Sequence, residues 1–217
     1  MPDWRELATQ AEARYRDGEG RLPDEPDARQ RQLTRMANAA YAAGLSRLMS
    51  GDRPGADEWL RRAAERYRES YASAPPGSWG RPIGAVKARL LAGDDEGATR
   101  DAEWALAEGA ARADSPIGRY AGTLASLVLA RWAEARVLAD DLRTHDGFPR
   151  EVADALAFIS AHDVVGYDIA AESVLDSFET RDEYLEDVPV ADTVLVLQAL
   201  AKRRGFAAEL ESELLPR

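Results

Sequence analysis

Residues 48–60 read LMSGDRPGADEWL and residues 90–102 read LLAGDDEGATRDA. The offset is 42 residues, with Leu48, Gly51, Asp52, Gly55 and Ala56 matching Leu90, Gly93, Asp94, Gly97 and Ala98. A glycine just past a helix end adopts the left-handed conformation that closes the last turn. An aspartate directly after it caps the next helix, and Asp95 and Glu96 suit the positive end of that helix's dipole. Each phrase is therefore a stop signal followed at once by a start signal, which predicts an elbow between two antiparallel helices.

Weaker copies follow. In LARWAEARVLADDL, Ala130, Trp132 and Ala135 keep a Gly-x-aromatic-x-x-Ala frame; VVGYDIAAESVLDSF supplies Gly166, Tyr167 and Ala171; AKRRGFAAELESEL supplies Gly205 and Phe206. Taking Ala56, Ala98, Ala135 and Ala171 as equivalent, the steps are 42, 37 and 36 residues. Proline marks the helix starts, because it fits the first turn and disrupts an interior. Pro82, Pro116, Pro149 and Pro189 each precede a helical apolar pattern, at steps of 34, 33 and 40. The result is an all-α chain of about 10–11 helices in an array of antiparallel hairpins. An N-terminal helix over about 3–17 and a polar loop make up residues 1–25, and repeats fill 26–217. The hairpins run at about 26–50 with 53–73, 80–92 with 95–112, 116–129 with 131–144, 149–164 with 167–179, and 189–203 with a short closing helix at 206–214.

Composition bounds the function. With 45% hydrophobic and 31% charged residues the chain can bury a core, and without cysteine it has neither disulfide nor thiolate chemistry. No apolar run approaches the roughly 20 residues needed to cross a bilayer, and MPDWRELATQAEARYRD lacks the apolar core of a signal peptide. The expected location is the cytoplasm. The net charge is −11, and residues 113–217 hold 20 acidic against 10 basic side chains. Such a surface repels phosphates, which disfavours nucleic-acid and membrane partners. It serves as a solubilising surface or as a docking face for a basic partner.

The pattern resembles the tetratricopeptide-like helical repeats over about residues 30–210. Gly44, Gly51, Ala56, Leu60 and Ala63 match the small and aromatic signature positions in one copy, and Ala130, Trp132, Ala135, Ala139 and Leu142 in another. The steps depart from the 34-residue period, so either a superhelix or an irregular bundle is compatible. The resemblance implies a groove lined by first helices that takes a peptide or partner helix. Asn38, Tyr41, Lys87 and Tyr120 would face it, with Trp79 and Arg81 near its edge. Tyr41 and Tyr120 also read as ordinary packing residues, the simpler of the two readings. Trp59, Trp104 and Trp132 lie in amphipathic patterns and read as packing residues. VADTVLVLQALA is nearly apolar all round, so it is either covered on both sides or exposed for self-association.

Catalytic signals are sparse. The two histidines, His145 and His162, each precede an aspartate, and His162 suits a helix end. Glu172, Asp176 and Glu179 share a helix face, and Glu151 with Asp154 and Glu183 with Glu186 form further pairs. Helical bundles build metal sites from facing acids of this kind, but here they sit among other charges. Phosphate-loop, dinucleotide, zinc-helix and nucleophile-elbow motifs are missing. The expectation is a non-enzymatic protein without cofactor or metal that binds a protein or peptide or self-associates. A small metal-dependent hydrolase using the helix carboxylates and a ligand-sensing helical domain are the alternatives.

Overall fold

The computed structural model describes residues 2–216. Its α-helices are α1 (Trp4–Gly20), α2 (Pro26–Met49), α3 (Arg53–Tyr71), α4 (Gly80–Leu91), α5 (Asp95–Ala107), α6 (Pro116–Val128), α7 (Trp132–Leu142), α8 (Arg150–Ala161), α9 (Val164–Glu179) and α10 (Asp192–Arg203). Among the described residues there is no strand, and no helix is long and apolar enough to cross a membrane. Helices pack mainly on their neighbours in sequence, as antiparallel hairpins.

The elbows close by one repeated piece of chemistry. At Gly51 (φ 80°) the glycine N–H donates to Leu48 O (3.1 Å) and the Asp52 N–H to Arg47 O (3.0 Å). At Gly93 (φ 63°) the same bonds reach Leu90 O (3.1 Å) and Arg89 O (3.0 Å). These satisfy carbonyls that a helix end leaves open. The Asp52 carboxylate then accepts from the Gly55 N–H at 3.1 Å and starts α3. Ala130 (φ 55°) and His162 (φ 59°) make the same closure without glycine, through Arg131 N–H to Ser126 O (2.8 Å) and Asp163 N–H to Phe158 O (3.0 Å).

Three expectations are corrected. The fourth elbow lies at His162–Asp163, not beside Gly166, which is the third residue of α9. Asp163 caps it by accepting from the Gly166 N–H at 2.9 Å, so Asp163-x-x-Gly166 repeats Asp52-x-x-Gly55 and the residue equivalent to Ala56 is Tyr167. The helix expected over 95–112 ends at Ala107, where Gly109 (φ 93°) turns the chain into a 3-10 turn at Ala110–Arg112. The closing helix expected at 206–214 does not form; residues 206–212 are neither helix nor strand, and 213–214 form a turn.

The chain divides into two compact units. The first comprises residues 1–94, 181–190 and 212–217; the second, 95–180 and 191–211. The first is built on α1–α4. Its alanine-rich α2 packs so closely on α3 that a Cβ at Gly44 would sit 2.6 Å from Leu60. Glu12 (6% exposed) receives the Arg47 Nε–H at 2.8 Å and Arg16 at 3.0 Å, and Arg47 also pairs with Asp52, tying α1, α2 and the cap of α3 together. The second unit is built on α5–α10, with α8 in contact with both α6 and α10. The apolar α10 is covered: Val194, Val196 and Leu197 are fully buried. Counted by unit, the first holds 19 acidic and 18 basic side chains and the second 20 and 10. Nearly all the net charge is therefore carried by the second.

Candidate functional site

In the first unit the residues selected from sequence lie on α2, on α4 and at its start. Tyr41 (2% exposed) and Trp79 (9%) are buried, and Asn38, Arg81 and Lys87 are half-buried. Asn38 Oδ1 accepts from the Tyr67 hydroxyl at 2.7 Å, which joins α2 to α3. Arg81 donates through Nε to Ser70 Oγ at 3.1 Å and through Nη2 to the Oε1 of the buried Gln30. Gln30 in turn donates to Asp27 Oδ1 at 3.0 Å. Burial pushes the Arg81 guanidinium below its ordinary value, with Tyr71 opposing. The hydrogen bond from Gln30 holds the Asp27 carboxyl low against a burial effect, and Arg31 adds to it. Asn38 and Arg81 thus join helices α2, α3 and α4 through partly buried hydrogen bonds.

Tyr120 has a different setting. It belongs to α6 of the second unit, and its ring lies 5.3 Å from that of Phe148. Around the pair opens a recess of about 430 Å³ lined by Pro116, Ile117, Tyr120, Gly147, Phe148, Pro149, Val152 and Thr193. These residues come from the starts of α6, α8 and α10 and from the segment 147–149 that leads into α8. Pro116 opens α6 behind the cap that Ser115 gives the Gly118 N–H (3.2 Å), and Pro149 precedes α8. Proline is accepted at such starts because its missing N–H costs nothing there, and it leaves carbon facing the recess. Ile117 is 45% exposed at the rim.

No protein-family model, curated protein or solved structure matches the chain.

The acids that suggested a metal are dispersed. Glu172, Asp176 and Glu179 are exposed on α9, and Asp154 is engaged by Arg143 at 2.6 Å and Arg150 at 3.6 Å. Among the described residues no three His, Asp or Glu side chains are placed to hold a metal ion. His145 pairs with Asp141 at 3.5 Å, and His162 closes α8. Trp59 is buried (5%) with Arg62 over its ring at 4.4 Å, and Trp132 lies under Arg204 at 4.4 Å.

Sequence reasoning selected Tyr120 but missed Ile117, Phe148, Val152 and Thr193. A usable signal existed in the proline steps. If Pro116 and Pro149 mark equivalent starts of neighbouring first helices, the residues beside them come together.

Proposed function

We propose that the chain is a non-enzymatic module of tetratricopeptide-like α-hairpins that binds a segment of another protein in the recess at Tyr120. The observation that carries this reading is an apolar recess, assembled from three helix starts, in a unit whose charges sum to −10. A concave apolar surface with a buried aromatic floor is the setting in which one inserted side chain contributes most of a binding energy. The recess is open, which suits a side chain projecting from a polypeptide better than a small molecule that needs most of its surface enclosed. The surrounding negative potential attracts lysine and arginine and speeds their encounter, so the segment is an apolar anchor flanked by basic residues. Of the residues selected from sequence, this reading assigns binding to Tyr120 and packing to Asn38, Tyr41, Trp79, Arg81 and Lys87.

The test is fluorescence anisotropy with short Leu- or Phe-centred peptides carrying lysine flanks, against the same peptides with glutamate flanks. The basic set binds, more weakly as salt rises, and the acidic set does not. Ile117→Gln keeps the volume and helix propensity of the rim while removing its apolar surface, and weakens binding about tenfold, the equivalent of about 1.4 kcal/mol. Equal binding to Ile117→Gln refutes the site. Sedimentation of the same samples addresses self-association: a dimer that Ile117→Gln dissolves replaces the peptide with a second copy.

A further inference from the structure

The chain beyond α10 behaves as a bound peptide. Gly205 (φ 90°) closes the helix, with its N–H on Lys202 O (3.0 Å) and the Phe206 N–H on Ala201 O (3.2 Å). From Phe206 to Ser212 the chain then has no helix, strand or turn, and exposure alternates with period two. Phe206, Ala208 and Leu210 are half-buried, while Ala207, Glu209 and Glu211 are exposed. Gln198 on α10 clamps the segment: its Nε2 donates to Ala208 O at 2.7 Å, and its Oε1 accepts the Ala208 N–H at 3.1 Å. The same Oε1 accepts the hydroxyl of the fully buried Tyr167 at 3.1 Å, which orients the amide. Phe206 packs edge-on to Tyr167 (5.3 Å) and beside His162 (5.4 Å).

A side-chain amide that satisfies both backbone groups of one residue reads extended chain whatever its sequence. Selectivity then falls to the side chains on the inward face, the division of labour seen when a strand is added to a surface. Here the inward positions are an aromatic ring, a residue small enough for the amide to reach its backbone, and an aliphatic chain. The outward glutamates play no part.

We propose that His162, Tyr167 and Gln198 form a recognition site for an extended protein segment of the pattern aromatic–any–small–any–aliphatic, occupied in cis by residues 206–210 and entered by a partner that displaces them. Tethering sets the competition. A segment joined directly to α10 acts at an effective concentration on the order of millimolar, so a free segment binds well only when the tail is weakened or the partner is better matched.

The test uses the full chain and a labelled peptide of residues 204–213, RGFAAELESE. Phe206→Ala removes the tail's anchor and binds the peptide about tenfold more tightly than the unaltered chain. Adding Gln198→Glu, which deletes the Nε2 donor, abolishes that binding. A peptide with Phe206→Ala or Ala208→Asp fails to bind, whereas Glu209→Gln binds unchanged. Folded Phe206→Ala that ignores the peptide, or binding indifferent to Gln198, overturns the proposal. Should Phe206→Ala not fold, hydrogen exchange on the unaltered chain decides: excess peptide must accelerate exchange of the tail's own Ala208 N–H, and no change overturns it. Dimerisation of the unaltered chain that Gln198→Glu abolishes would make a second copy the occupant and overturn the partner assignment. Ile117→Gln leaves this binding untouched, so it and the Tyr120 recess fail separately.

Discussion

The repeated elbow makes a reciprocal prediction. Gly51 holds φ 80° with open space where a Cβ would stand, so Gly51→Ala adds no clash and isolates the backbone term. Placing an L-residue in the left-handed region costs about 1–2 kcal/mol, and the stiffer unfolded chain returns about 0.4–1 kcal/mol. The net loss is about 0.5–1 kcal/mol. Ala130 occupies the equivalent closure at φ 55° with its Cβ already in place. Ala130→Gly therefore reverses both terms and gains about 0.5–1 kcal/mol. Thermal melts by circular dichroism read the pair, with each change worth about 1–4 °C in a chain of this size. If two transitions are resolved, Gly51→Ala lowers the one belonging to residues 1–94 and Ala130→Gly raises the one belonging to 95–180. Opposite signs at matched positions are the signature. Two losses, or a neutral Gly51→Ala, would refute a shared left-handed closure.

Crowding rather than backbone freedom governs the inner glycine of the elbow. A Cβ at Gly166 would lie 2.6 Å from the Phe158 ring and 2.9 Å from Asp163 Oδ2, so Gly166→Ala costs about 1–3 kcal/mol in a urea titration, while Gly20→Ala, with nothing within 4 Å of the added Cβ, carries no such cost and is neutral or stabilising. Acid should expose the charged caps. The Asp52 carboxyl is held below its ordinary 3.8 first by the Gly55 N–H and then by Arg47, against burial. Burial raises Asp140, but Arg136 and Arg143 outweigh it and the net shift is downward. Groups with depressed values contribute stability that is complete above the ordinary carboxylate range and lost as pH falls through the folded-state value. Melts across that acid window should steepen accordingly, and Asp52→Asn, which keeps an oxygen for the cap, should flatten its share of the slope.

What the sequence discloses about this fold is whatever is local. A helix stop, a capping carboxylate and a proline at the first turn lie within a few residues of each other, and these set Gly51, Gly93 and the start of α6 correctly. The fourth elbow is misplaced because the eye follows glycine. His162 accepts the left-handed turn itself, and the glycine nearby serves a steric purpose inside α9. Asp-x-x-Gly is the better key, since it encodes both the cap and the crowded approach behind it. The recess at Tyr120 was legible only as one aromatic position, because its walls come from three helix starts separated by more than thirty residues in the chain.

The tail shows how an architectural expectation can override local evidence. Residues 206–214, FAAELESEL, place Phe206, Ala208, Leu210, Ser212 and Leu214 on one side and Ala207, Glu209, Glu211 and Glu213 on the other, an alternation of period two. A helix on this sequence would stack Phe206, Leu210 and Leu214 on one face, but it would set Glu209 and Glu213 directly beside that stripe. The course the chain takes instead puts all three glutamates in water and every second residue inward. Gln198 is the other half of the explanation. It interrupts the apolar run from Val194 to Ala201, and a half-buried amide on a covered helix requires partners for its donor and its acceptor. A second helix has satisfied its own backbone and has none to offer, whereas an extended segment presents both groups of Ala208. The polar residue in the apolar stretch and the alternation after it therefore point to the same conformation.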